Sequence, residues 1–138
     1  MKIVVNKCFG GFGLSYEAVM LYAKLKKMKL YAFTDFRDTQ GKLDFNKKIP
    51  YNGTGNKPFV VHYCTAPLKK GKLDSQKYFS DRDIARDDPI LVKVVEKLGD
   101  KASGTVAKLR VIEIPDGVQW EIDDYDGNET ISEIHRSW

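Results

Sequence analysis

The chain has 138 residues, of which 42% are hydrophobic and 30% are charged, and its formal net charge is +4. A chain of this size and apolar content can bury a core of its own, so global disorder is excluded and one domain over 1–138 is expected. Its apolar runs are shorter than the roughly 20 residues of a membrane helix, and its first residues lack the pattern of a signal peptide, so no membrane association is predicted.

The two cysteines, Cys8 and Cys64, lie in short apolar segments. They form no CxxC motif, and no Cys/His spacing is typical of a zinc site. We therefore expect free thiols in a reduced, cytoplasmic protein. No sequence motif indicates a cofactor, and none is expected.

Charge is distributed unevenly along the chain. Residues 1–80 contain 15 Lys and Arg against 5 Asp and Glu, whereas the remaining residues contain 8 against 14. Such a division is expected when a basic face meets an anionic partner, or when two oppositely charged segments attract each other in the fold. The sequence leaves both interpretations open.

A strand, a glycine-rich turn and a helix are predicted first. Residues 2–8 are short and rich in β-branched side chains, and a glycine cluster follows at 10–13. From Ser15, the predicted N-cap, apolar residues recur at helical spacing as far as Met28.

The middle of the chain is predicted to hold two strands around a long loop. Residues 29–36 and 59–65 have strand-like apolar patterns, and Gly, Asn and Pro punctuate the segment between them. Loops of roughly twenty residues are uncommon in small domains and are often binding loops or lids. Function could therefore also lie in this segment.

A second helix follows, with clear signals at both ends. Asp88 is the predicted N-cap, Pro89 lies in the first turn, and Gly99 is the predicted stop. These signals predict a helix of about three turns.

The last segment is predicted to form a β-hairpin and a short helix. Residues 106–114 and 118–123 have strand patterns around a turn at 115–117, and Ile131 and Ile134 suggest a short terminal helix. Together the elements predict an α+β fold, in which a mixed sheet of about five strands carries two main helices and ends in a C-terminal β-hairpin.

The glycine-rich turn is the candidate ligand-binding site. Backbone N–H groups at a helix start favour anions such as phosphate, glycines allow close approach, and aromatic rings can stack on a base. The segment matches neither GxGxxG nor the P-loop, so a tight turn without a ligand is the alternative. The candidate residues are Lys7, Phe9, Gly10, Gly11, Phe12, Gly13 and Ser15.

No catalytic set can be assigned from the sequence. The acidic cluster at 123–129 does not have the spacing of a calcium loop, so we predict a structural role and no metal site. His62 lies within a predicted strand, where a structural histidine is expected. The chain ends on His135 and Trp138, and the indole either packs on the domain or belongs to an interface.

Four segments resemble a family of small uncharacterised proteins carried by bacteriophages and prophages. They are KIVVNKCFGGFGLS, RDIARDDPILVKVVEKLG, VIEIPDGVQWEIDDYDG and HRSW, and they follow one another in collinear order over nearly the whole chain. The resemblance implies a phage accessory protein in the cytoplasm of a bacterial host. Such a protein is expected to act on host processes, including host defence, by binding a host protein, a nucleotide signal or nucleic acid.

Two functions are therefore predicted. The first is an accessory binding protein that captures a nucleotide-like or other anionic small molecule, or a host protein, without turnover. The alternative is a metal-dependent enzyme on nucleotides or nucleic acid, which would use the late carboxylates and the basic segment. Sequence-specific DNA binding is not expected, because no helix-turn-helix or basic recognition helix is evident.

Overall fold

The computed structural model describes residues 1–55, 58, 60–70, 72 and 75–134. Short 3₁₀ turns occupy Ser75–Lys77, Asp81–Asp83 and Gly99–Ala102. The regular elements in chain order are β1 (Lys2–Asn6), α1 (Tyr16–Leu25), β2 (Tyr31–Arg37), β3 (Leu43–Pro50), β4 (His62–Cys64), β5 (Tyr78–Phe79), α2 (Pro89–Leu98), β6 (Leu109–Glu113), β7 (Trp120–Tyr125) and β8 (Asn128–Glu133).

The predicted α+β class is confirmed. The strands of the described part form three antiparallel sheets, where the sequence predicted about five strands in one mixed sheet. One sheet pairs β1 with β6, another has the order β3–β2–β4–β5, and the third pairs β7 with β8. The described residues divide into two compact units, the first formed by 1–22 and 84–134 and the second by 23–83.

Strand β1 forms the centre of the apolar core in the first unit. Its Ile3, Val4 and Val5 are fully buried, as are Leu91 and Val94 of α2. Because side chains of one strand point alternately to opposite faces, burial of three consecutive residues means that both faces of β1 are covered. The glycine-rich turn therefore follows a strand that is buried on both faces.

Both predicted helix starts are confirmed. The Ser15 hydroxyl accepts a hydrogen bond from the Ala18 N–H at 3.1 Å, and the Asp88 carboxylate accepts one from the Ile90 N–H at 2.8 Å. The predicted stop is also confirmed, since α2 ends at Leu98 and Gly99 is its C-cap, with a φ of 59°. Helix α1 ends at Leu25, earlier than its apolar pattern suggested.

The predicted C-terminal hairpin is confirmed, although it turns at a different place. Strands β7 and β8 pair over their full lengths around Asp126 and Gly127. Both turn residues have positive φ, 52° and 89°, as a two-residue type I′ turn requires. The short terminal helix expected around Ile131 is wrong, because this residue lies within β8.

The predicted pairing of 106–114 with 118–123 is also wrong. Strand β6 pairs instead with β1, so the turn at 115–117 joins two different sheets. Six residues separate β6 from β7, whereas only Asp126 and Gly127 separate β7 from β8. A two-residue Asp-Gly connection is the stronger hairpin signal.

The second unit contains a strand where the sequence predicted a loop. Strand β3 lies within that segment and pairs with β2, with a bulge between Asp35 and Phe36. The strand predicted at 59–65 is shorter, His62–Cys64, and Phe59 lies outside the described residues.

Cys8 and Cys64 are not joined in a disulfide, as predicted. No helix of the described part is long and apolar enough to cross a membrane. The expectations for His135 and Trp138 concern positions outside the described residues.

Candidate functional site

The glycine-rich turn connects β1 to α1 and is closely packed by later segments of the first unit. A Cβ atom on Gly10 would lie 1.9 Å from the Val106 carbonyl oxygen, and one on Gly127 would lie 2.4 Å from the Gly11 nitrogen. Only glycine fits at these two contacts, since any side chain would clash with backbone. Close packing of the chain on itself therefore explains both glycines without a ligand.

The polar candidates of this turn are engaged within the unit. The Lys7 ammonium donates a hydrogen bond to the Glu129 carbonyl at 2.7 Å. The Ser15 hydroxyl donates to the Lys101 carbonyl at 2.6 Å, and the Ser15 N–H donates to the Ala102 carbonyl at 2.9 Å. Neither side chain is presented to an anion in this arrangement.

The two phenylalanines of the turn have opposite environments. Phe12 is buried, and the Arg86 guanidinium lies over its ring at 3.6 Å from the centroid. Phe9 is 68% exposed and contacts Tyr125 edge to face, with ring centroids 6.4 Å apart. Of the two rings, only Phe9 is available to a partner.

The buried Glu129 forms an ion pair with the partly buried Arg86. Arg86 donates two hydrogen bonds to the Glu129 carboxylate, at 2.6 and 2.9 Å, and the Asn6 N–H donates a third at 2.8 Å. Burial alone would raise the pKa of the Glu129 carboxyl, but these hydrogen bonds and the charges of Arg86 and Lys7 lower it below its ordinary value. Glu129 is therefore ionised at neutral pH and holds β8 against β1.

The side chain of Asn6 fixes the turn and the hairpin relative to each other. Its amide nitrogen donates to the Cys8 carbonyl at 2.9 Å and to the Gly127 carbonyl at 2.7 Å, while its oxygen accepts from the Lys108 N–H at 2.7 Å. Asn6 is fully buried, so these bonds are shielded from water. The segments that carry Phe9 and Tyr125 are thus held by one side chain.

Phe9, Val106 and Tyr125 form what we call the aromatic surface. Their exposed fractions are 68%, 55% and 77%, and all three belong to the first unit. Val106 lies against Gly10, and Gly127 lies against the backbone of Phe9 and Gly11. The rings of Phe9 and Tyr125 are in contact, and large apolar side chains that stay exposed near one another are a common feature of interaction sites.

The late carboxylates do not converge on one point. Asp124 accepts a hydrogen bond from the Gly127 N–H at 2.7 Å, Asp123 accepts one from the Ser132 hydroxyl, and Glu129 is turned inward to Arg86. Among the described residues, no three His, Cys, Asp or Glu side chains come together in a way that could hold a metal ion.

His62 lies beside the ion pair of Asp35 and Lys48 in the second unit, and the three side chains form a polar cluster. The Asp35 carboxylate lies 2.5 Å from the Lys48 ammonium and 3.5 Å from His62 Nε2, so the cluster joins strands β2, β3 and β4. The ring of Tyr78 lies 6.5 Å from that of His62. Burial raises the pKa of the Tyr78 phenol above its ordinary value, and the neighbouring Asp81 and Cys64 raise it further.

Comparison with protein-family models, with curated proteins and with solved structures gives no match to this chain. The function must therefore be argued from the geometry. The sequence analysis includes Phe9 among the candidate residues but not Val106 or Tyr125. The Asp126-Gly127 dipeptide was the available signal, because a tight turn there places Tyr125 at an exposed hairpin end.

Proposed function

We propose that this chain is a binding protein without turnover, and that it docks a partner protein on the aromatic surface. The observation that carries the proposal is the contact between two mostly exposed rings, those of Phe9 and Tyr125. Aromatic side chains contribute most strongly to protein interfaces when they are held in place before binding, because less freedom is then lost. Asn6 provides this rigidity by binding the backbone on both sides of the pair.

Capture of a phosphate-bearing ligand by the glycine-rich turn has less support. Lys7 and Ser15 are engaged with backbone carbonyls, and Phe12 lies under Arg86. The remaining aromatic candidate, Phe9, faces a tyrosine and is better suited to an apolar partner surface. A nucleotide stays the small-molecule alternative, and the experiment below separates it from a protein.

The geometry supports the alternative function, a metal-dependent enzyme, even less than it supports a phosphate-bearing ligand. Such an enzyme needs carboxylates that converge on one cation, and the late carboxylates are instead engaged with three different groups of the first unit.

The resemblance to small bacteriophage proteins supports a bacterial host protein as the partner. We propose that the chain works in the host cytoplasm by occupying a surface of that protein, and that interference with host defence is one outcome of such binding. The number of copies of the chain in the complex is left to experiment.

Capture from a bacterial lysate, followed by reconstitution, tests the proposal. Proteins retained by the immobilised chain would be identified by mass spectrometry, and each would be purified and titrated calorimetrically against the parent, Phe9→Ser and Tyr125→Ser. Tyr78→Ser is the matched control, because Tyr78 is 50% exposed but lies in the second unit. We expect Tyr125→Ser to weaken the complex at least about tenfold and Tyr78→Ser to leave it unchanged.

Two results would overturn the proposal. One is a purified partner that binds Tyr125→Ser and Phe9→Ser as tightly as the parent. The other is product formation when the chain is incubated with mixed nucleotides and Mg²⁺ or Mn²⁺, which would restore the enzyme interpretation.

A further inference from the structure

The hairpin beside the aromatic surface has a strongly one-sided charge. Residues 120–133 contain six Asp and Glu and no Lys or Arg, although the whole chain is basic. Glu129 is buried and paired with Arg86, whereas the other five carboxylates are on exposed residues. The electrostatic potential around the end of the hairpin is therefore negative.

Strand geometry places part of this charge next to Tyr125. Side chains alternate across a strand, so Glu121, Asp123 and Tyr125 lie on one face of β7, at intervals of roughly 7 Å. Asp126 follows Tyr125 directly in the turn and is also exposed. The Tyr125 ring thus has carboxylates along its own strand and at the adjoining turn.

We infer, on the basis of the function proposed above, that the segment docked on the aromatic surface is a protein segment that carries arginine. A guanidinium is flat, stacks on the face of a tyrosine ring and pairs with a carboxylate at the same time. Tyr125 with its flanking carboxylates offers both contacts. Val106 and Phe9, the other residues of the surface, would receive an aliphatic or aromatic residue of the same segment.

Charge also decides against a phosphate-bearing occupant at this place. A nucleotide or nucleic-acid strand stacked on Tyr125 would bring its phosphates towards Asp123 and Asp126, which repel them. Lys7, the cation of the adjoining turn, is engaged with the Glu129 carbonyl. A cationic protein segment meets no such penalty.

Two-dimensional NMR of the labelled full chain tests the inference with a defined probe. The probe is a capped peptide of alternating leucine and arginine, and matched peptides carry lysine, glutamine or glutamate in place of arginine. We expect the arginine peptide to shift the resonances of Phe9, Val106 and Tyr125 and to bind about two- to fivefold tighter than the lysine peptide, because stacking on the ring favours guanidinium. The glutamate peptide should not bind.

Two variants separate the contribution of the Tyr125 ring to binding from the contribution of the nearby carboxylates. Tyr125→Leu keeps the apolar volume but removes the ring, and the double variant E121Q/D126N removes two charges. Each should weaken binding of the arginine peptide several-fold, and raising salt from about 0.05 M to about 0.5 M should do the same. The control E17Q/E113Q makes the same charge change at exposed positions elsewhere in the first unit and should have no effect.

The outcomes distinguish this inference from the proposed function. If the glutamine peptide binds as tightly as the arginine peptide, and E121Q/D126N binds both like the parent, the surface is a docking site but the arginine inference is wrong. If oligonucleotides shift the same resonances more strongly than any peptide, both are wrong. Sedimentation that shows a dimer dissociated by Tyr125→Leu would also overturn the inference, since the occupant would be a second copy of the chain.

Discussion

At the scale of single residues, Asn6 joins three segments that are far apart in the sequence. Its side chain satisfies the Cys8 and Gly127 carbonyls and the Lys108 N–H. Each of these groups would cost about 1–3 kcal/mol if it were left buried without a partner. An uncharged amide supplies both donors and an acceptor, which neither aspartate nor leucine of similar size can do.

The buried pair of Arg86 and Glu129 leads to a prediction about acid stability. Because the pKa of Glu129 in the folded chain lies below its ordinary value of 4.5, the pair stabilises the fold above that pH and loses its contribution as the pH falls through the lower, folded-state pKa. Glu129→Gln should reduce the free energy of unfolding by about 3 kcal/mol at pH 7, the lower end of the range for a buried pair, because Arg86 loses its counter-charge but is itself 18% exposed. Urea denaturation across the pH range from about 7 to about 3 measures this effect.

The difference between parent and variant is the informative quantity, since other carboxylates also titrate in this range. We expect that difference to shrink below the ordinary carboxyl pKa. Glu96→Gln, which removes an exposed carboxylate paired with Lys2, should cost less than about 1 kcal/mol at all pH values. A difference that is constant with pH would show that Glu129 is not the titrating group.

Residue chemistry alone could not reveal the role of the glycines in the turn. The sequence shows that Gly10 can adopt many conformations, which suits a tight turn or an anion site equally well. Its actual constraint is contact with the Val106 backbone, and the constraint on Gly127 is contact with Gly11. Both partners are distant in the sequence, so no local pattern records them.

At the scale of elements, the hairpin β7–β8 depends on glycine in its turn for two separable reasons. Gly127 has a φ of 89°, which disfavours a side chain, and a Cβ there would also clash with Gly11. We therefore predict that Gly127→Ala destabilises the chain by more than the roughly 1–2 kcal/mol that left-handed backbone costs an alanine. Equilibrium urea denaturation measures this loss.

Gly117 provides the matched comparison. Its φ is 82°, but a Cβ would meet nothing within 4 Å. Gly117→Ala should therefore lose only the free energy that a left-handed backbone costs an alanine. Equal losses for the two variants would contradict the packing of the hairpin turn on the glycine-rich turn.

Elements with strong signals in their own sequence were predictable. Elements that form only by pairing with a distant strand were not. Helix α2 was predicted from Asp88 and Gly99 because capping groups act within a few residues of the helix end. Strand β3 was missed because its sequence, LDFNKKIP, contains Asp, Asn and Lys, which are poor strand formers. Pairing with β2 supplies what the local sequence lacks.

At the scale of the whole molecule, the uneven charge follows the two compact units. Residues 23–83 contain 14 Lys and Arg against 6 Asp and Glu, whereas the other residues contain 9 against 13. The charge asymmetry along the sequence therefore corresponds to a difference between the two compact units. It gives the chain a basic region outside the aromatic surface.

This division predicts weak binding to polyanions that does not involve the aromatic surface. The chain should bind heparin or single-stranded DNA at low salt, and should be released below about 0.3 M salt, because counterion release provides most of the affinity. Retention on a heparin column should be the same for the parent and Tyr125→Ser. Earlier release of Tyr125→Ser would place nucleic acid on the aromatic surface and contradict the preference for a protein partner.

The pairing of β1 with β6 has a consequence for synthesis on the ribosome. Lys2 pairs with Glu113, so the first strand leaves the ribosome long before its partner exists, and the Asn6 contacts wait for the hairpin to be made. Pairing over such a distance closes a long loop and is slow compared with local folding. Until then the apolar segment IVV is exposed in the nascent chain, where it would be a target for chaperones, and the aromatic surface exists only once the last strands have been translated.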